Sequence, residues 1–160
     1  MVQEVLGDLH SNVESESADA TSLPAERWYL EVHPENRAEL VDSSASIQGG
    51  MRVTIVKHQS TARSSVRLVV PLSFTSRRRY VFDFRARADS FRLVTLGAGA
   101  GGPPWLDLGL GLDITLTDRW ERFEVDFVPS ADADGQLFFH VGAYDPAVEF
   151  ADMAITSLPA

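Results

Sequence analysis

From Trp105 to Val128 the chain reads WLDLGLGLDITLTDRWERFEVDFV, and its first half carries a leucine or isoleucine at every second position from Leu106 to Leu116. A period of two sends all of these side chains out of one face of a β-strand, which predicts a core-facing row of Leu106, Leu108, Leu110, Leu112, Ile114 and Leu116. The opposite face carries Trp105, Asp107, Gly109, Gly111, Asp113 and Thr115. Glycines inside a strand mark a bend or a place where another group approaches the backbone. After a turn, Phe123, Val125 and Phe127 alternate with Glu124 and Asp126, predicting a second strand that packs back beside the first.

The same alternation recurs along most of the chain. Trp28 to Val32, Ala38 to Asp42, Met51 to Lys57, Ser65 to Phe74, Tyr80 to Arg87, Ser90 to Leu96, Gln136 to Gly142 and Ala147 to Leu158 read as further strands. Pro71 cannot donate to a ladder, so it predicts an edge or a bulge within its strand. Phe138 and His140 share a face opposite Leu137, Phe139 and Val141. About ten short strands with no helical apolar period predict an all-β fold, an antiparallel β-sandwich of jelly-roll type.

Residues 1 to 26 are rich in Ser, Glu, Asp and Ala and predict an acidic segment, mobile or lying along the sandwich edge, with a short helix from Val2 to His10; residues 27 to 160 form the β domain. A single core of this size suits one domain. The formal net charge of -9 argues against nucleic acid or an anionic membrane surface as partner. Three adjacent arginines, Arg77 to Arg79, then read as a solvated turn. The chain has no cysteine, hence no disulfide or thiolate metal site. No apolar run approaches the roughly 20 residues of a membrane helix. The N-terminal stretch lacks the basic and apolar regions of a secretory leader.

Chemistry is sparse. His10, His33, His58 and His140 sit apart from any nucleophile motif, and the glycine-rich stretch Gly97 to Gly102 is followed by prolines and a strand instead of Gly-Lys-Ser/Thr and a helix. Asp107 and Asp113 lie six residues apart on one strand, about 20 Å at roughly 3.3 Å per residue, too far to act as a glycosidase pair. Trp105 either caps the core or offers a flat platform of the kind that stacks on sugar rings. These features describe a binding surface, not a reaction centre.

Tyr80 to Ala88, Leu116 to Phe123 (LTDRWERF), Phe139 to Gly142 (FHVG) and Val148 to Ile155 (VEFADMAI) resemble, in order and pattern, the carbohydrate-binding modules of families 4, 9 and 22, which are galactose-binding-like jelly rolls. The resemblance spans roughly Trp28 to Leu158. It implies a non-catalytic module that holds a polysaccharide chain of xylan or β-glucan type on a concave sheet face. It also implies a secreted protein, with a catalytic domain of a parent protein as neighbour. Trp105 falls near a stacking aromatic of the xylan-binding relatives, Asp113 near a polar contact and His140 near a histidine; Asp107, Arg85 and Tyr144 complete the expected hydrogen-bonding groups. Asp152 matches an aspartate that in relatives helps hold a structural Ca2+, although Met1 to Glu26 contains no counterpart of their N-terminal partner. Where relatives offer a second aromatic this chain reads Ala62-Arg63-Ser64-Ser65, leaving a structural or protein-interaction sandwich without a sugar site as the alternative.

Overall fold

A computed structural model describes residues 18–43, 50–57, 62–103 and 105–160, so the helix expected from Val2 to His10 lies outside the described residues. Eleven strands follow one another: β1 (Asp19–Ser22), β2 (Tyr29–Val32), β3 (Arg37–Ser43), β4 (Gly50–Lys57), β5 (Val66–Phe74), β6 (Arg78–Ala88), β7 (Arg92–Ala100), β8 (Asp107–Leu116), β9 (Glu121–Phe127), β10 (Ala133–His140) and β11 (Val148–Pro159). Two single-turn 3-10 segments, Ala25–Arg27 and Arg63–Ser65, are the only helical elements among the described residues. The strands build two antiparallel sheets. One runs β3-β4-β11-β6-β9, with β1 also on β11, and the other runs β2-β5-β10-β7-β8. The all-β sandwich expected from the alternation is therefore the observed architecture.

The inner rows meet in an aromatic core. Phe139 of the five-stranded sheet lies 4.3 Å, centroid to centroid, from Phe150 and 5.2 Å from Phe84 of the other, and Trp28 packs on Phe139 at 6.0 Å. Trp28 also donates its indole N–H to the Leu23 carbonyl at 3.2 Å, satisfying its one polar atom inside the core.

Two expectations change. β8 and β9 do not form a hairpin: β8 pairs with β7 in one sheet and β9 with β6 in the other, so the turn between them crosses the sandwich and their apolar rows face each other across the core. Alternation says which face of a strand is buried but not which sheet the strand joins. Leu106 and Leu112, expected in the core row, are exposed at 45% and 41%: Leu106 precedes β8, and Leu112 lies on β8, an edge strand. β1 lies inside the acidic stretch, expected to be mobile or to lie along the sandwich edge. It pairs Asp19 to Ser22 with Ser157 to Ala154 of β11, in line with β4, which pairs with the first part of the same strand. Its four side chains are all exposed, so backbone hydrogen bonding holds it and no hydrophobic pattern announces it. Pro71 sits beyond Val69, where β2 ends and that side of β5 is open, as its missing N–H requires.

Candidate functional site

The outer face of the five-stranded sheet is organised in three rows that cross the strands. The middle row runs Tyr29, Val69, Phe138, Gly97, Gly111. One flank runs Glu31, Arg67, His140, Thr95, Asp113, and the other Pro71, Gln136, Gly99, Asp107. Period two along each strand puts these residues opposite the buried row of Leu68, Phe139 and Leu96.

Glycine shapes the middle row. A Cβ on Gly97 would come within 2.6 Å of the Phe138 ring, so the ring occupies space that only glycine leaves open. The Arg67 guanidinium carbon stands 4.4 Å from the Phe138 ring centroid, and the His140 imidazole stacks on the same ring at 4.8 Å. Phe138, Arg67, Gln136, Gly99, Asp107 and Trp105 line a cavity of about 310 Å3. Trp105 is 64% exposed at its rim. Gln136 is 6% exposed, yet its amide makes no hydrogen bond to another described residue. Its amide atoms still reach solvent, whereas the Arg67 Nε of the same cavity is buried and has no hydrogen-bond partner among the described residues, which is costly unless water or a ligand completes it.

The Arg67 flank is braced by charge. Arg63 reaches from its 3-10 turn to donate to Asp113 at 2.8 Å and to Thr95 at 3.1 Å, and the Thr95 hydroxyl itself donates to Asp113 at 2.8 Å. The Thr95 hydroxyl first, and Arg63 next, hold the Asp113 carboxyl below the usual range. Arg63 is thus the anchoring group of the Ala62 to Ser65 stretch, which carries no aromatic. Tyr144 closes this end, its phenol acting on Arg63 and its ring 5.4 Å from the Arg92 guanidinium.

His140 is held below the ordinary histidine pKa by burial, then by the charges of Arg67 and Arg63. The unfolded chain takes up this proton as pH falls through about 6.5 while the folded chain resists it, so the stability is complete above that pH and declines below it. The melting temperature is expected to drop between pH 7.5 and 5.5, and His140→Gln to reduce that drop. An identical pH dependence in the variant would remove His140 from the explanation.

The structure brings together Trp105, Asp107, Asp113, His140 and Tyr144, but not Arg85. Arg85 is on β6, on the outer face of the other sheet, where it donates to Asp152 at 3.0 Å and lies 5.2 Å from the Trp120 ring. It points away from its apolar row as expected, but on the wrong sheet. The same contact bears on calcium: Asp152, at φ 54° in a bulge of β11, already faces a guanidinium, and among the described residues no three His, Asp or Glu side chains converge on one point. Tyr29, Arg67, Gln136 and Phe138 were not singled out as site residues, although each shares the outward parity of its strand.

No protein-family model matches the chain, and no curated protein matches it. Solved structures do. A CBM4 structure is 20% identical with a TM-score of 0.69, covering 86% of this chain and 89% of the other. The second N-terminal cellulose-binding domain of the Cellulomonas fimi β-1,4-glucanase C is 21% identical with a TM-score of 0.61, over 87% and 92%. The family 11 carbohydrate-binding module from Clostridium thermocellum, in complex with a β-1,3-1,4-mixed-linked tetrasaccharide, is 10% identical with a TM-score of 0.59, over 88% and 96%. The likeness is one of architecture: this chain has the β-sandwich fold of the carbohydrate-binding modules.

Proposed function

We propose that the outer face of the five-stranded sheet binds a polysaccharide chain of xylan or β-glucan type without acting on it. The observation that carries this reading is the pairing of an exposed indole, Trp105, with the unpartnered Gln136 amide in one cavity. A sugar ring offers what both lack, an apolar face for the indole and hydroxyls for the amide. Tyr29, 43% exposed on the opposite edge strand, supplies a second aromatic. Five strands at about 4.8 Å spacing set these edges roughly 19 Å apart, room for a chain of several rings lying across the strands. Arg67, His140, Asp113 and Tyr144 offer hydrogen bonds along one flank.

The carboxylates on this face have structural partners, Asp113 with Arg63 and Asp107 with a backbone N–H, which favours binding over hydrolysis. Attachment to a catalytic domain and secretion belong to the same proposal; among the described residues no helix is long and apolar enough to cross a membrane.

Titration with soluble xylan, β-glucan and mannan, followed by tryptophan fluorescence, is expected to give a Kd of roughly 10 µM to 1 mM, the range that a few rings and exposed hydrogen bonds supply. Trp105→Ala should weaken binding about tenfold or more, and Gln136→Leu by a similar factor. No response to any glycan, or an unchanged affinity in Trp105→Ala, would overturn the reading in favour of a protein-interaction sandwich.

A further inference from the structure

The geometry points to Asp107 as a positioning residue that sets Trp105 over the groove, and not as a contact for the ligand itself. This inference rests on the glycan-binding reading for its functional meaning and on the backbone for its evidence. Between β7 and β8 the register runs Leu96 with Leu112, Gly97 with Gly111 and Ala98 with Leu110, then jumps to Gly99 with Asp107. Leu108 and Gly109 are therefore extra on β8, a two-residue bulge.

Its length matters. Without the bulge Trp105 would stand opposite residue 103; with it, Trp105 is drawn back to the level of Gly101. Two residues at about 3.3 Å each move the indole roughly 7 Å along β7, toward Gly99 and Gln136. A one-residue insertion would also have reversed the parity and turned the indole toward the core. Two residues restore it, so Trp105 stays on the groove side.

Asp107 holds the bulge shut. Its Oδ1 accepts the Gly109 N–H at 2.7 Å, and its carbonyl accepts the Ser130 hydroxyl at 3.2 Å. Gly109 has φ 95°, a conformation that side chains rarely adopt, and a Cβ there would meet only Ser130 at 4.0 Å. The glycine is required by its backbone angle and not by space. Upstream, Ala100 donates to the Leu106 carbonyl at 2.8 Å and Trp105 to the Gly102 carbonyl at 2.9 Å. Trp105 itself is held at φ 56°, a left-handed angle unfavourable for a bulky residue, which persists only where the surroundings impose it. The carboxylate thus acts on the indole through three backbone units.

The test uses the whole chain labelled with 5-fluorotryptophan, the Trp105 signal being assigned by its loss in Trp105→Phe. Asp107→Ala and Gly109→Ala are expected to move the Trp105 fluorine resonance toward its unfolded position, leave those of Trp28 and Trp120 in place, and weaken binding of the best glycan about tenfold. Asp107→Asn keeps an Oδ1 acceptor and should restore both readouts. An unmoved Trp105 signal in Asp107→Ala and Gly109→Ala overturns the inference. So does an Asn variant that binds as poorly as the Ala variant while Trp105 stays in place, because Asp107 would then touch the ligand. If the wild type binds no glycan, the fluorine shifts still decide the positioning role and the functional proposal falls alone.

Discussion

Arg92→Met should unfold at a markedly lower denaturant concentration than the wild type, losing about 3–5 kcal/mol of stability. Arg92 opens β7 and is 2% exposed; among the described residues no carboxylate is hydrogen-bonded to it, although the charge of Asp145 acts on it. Its guanidinium instead donates to backbone carbonyls: Pro146 at 2.7 Å, Val141 at 2.9 Å, Tyr144 at 3.1 Å and Leu93 at 3.2 Å. Three of these belong to the connection from β10 to β11, so one side chain holds that connection to the neighbouring strand. Burial lowers its pKa to about 10, yet it remains charged at neutral pH. Methionine fills similar volume but leaves the carbonyls without a donor, each costing about 1–3 kcal/mol where water cannot replace it. Total stabilities of single domains are about 5–15 kcal/mol, so the loss is a large share of the whole. Arg92→Lys keeps the charge but not the fork, and should fall between the two. Chemical denaturation at pH 7 checks the order, and a methionine variant within about 1 kcal/mol of wild type would mean that water reaches these carbonyls.

Nothing in the sequence marked Arg92, a charged residue in a stretch read as an ordinary strand. Trp105, Asp113 and His140 were legible because each opposes a strong apolar row, and parity is a local property. Arg85 obeys the same parity on the other sheet, and sheet membership is settled by long-range pairing that no local pattern carries. The bulge at Leu108 and Gly109 is hidden for a related reason: two inserted residues leave the leucine alternation intact. Its trace is Gly109, a glycine in a strand interior, which reads equally as a bend or as a floor for a ligand. Tyr29 was hidden by its neighbour. In WYLEV the large aromatic Trp28 draws attention, but it shares parity with Leu30 and enters the core, and Tyr29 faces out with Glu31.

Phe139→Ala is expected to cost about 3–5 kcal/mol while leaving glycan affinity at its wild-type value below the melting transition. Phe139 is fully buried in β10, the central strand of the five-stranded sheet. Its ring touches Phe150, Phe84, Phe82 and Trp28, with centroids at 4.3, 5.2, 5.9 and 6.0 Å. Removing it takes away transfer energy and opens a cavity where the two sheets meet, and each lost aromatic pair adds about 0.5–1.5 kcal/mol. Phe139→Leu keeps more of the volume and should lose less. The binding groups flank it in sequence but not in space: Phe138 and His140 leave the opposite face of β10, and their positions are fixed by ladders to β5 and β7 that the substitution does not touch. Equilibrium unfolding and glycan titration on the same variant therefore test two separate statements. A loss of less than about 1 kcal/mol would show that the sheets repack around the gap and that Phe139 is not what joins them. A loss of affinity in the folded variant would show instead that the outer face depends on core packing as well as on its ladders, and with it that the two faces of β10 are coupled.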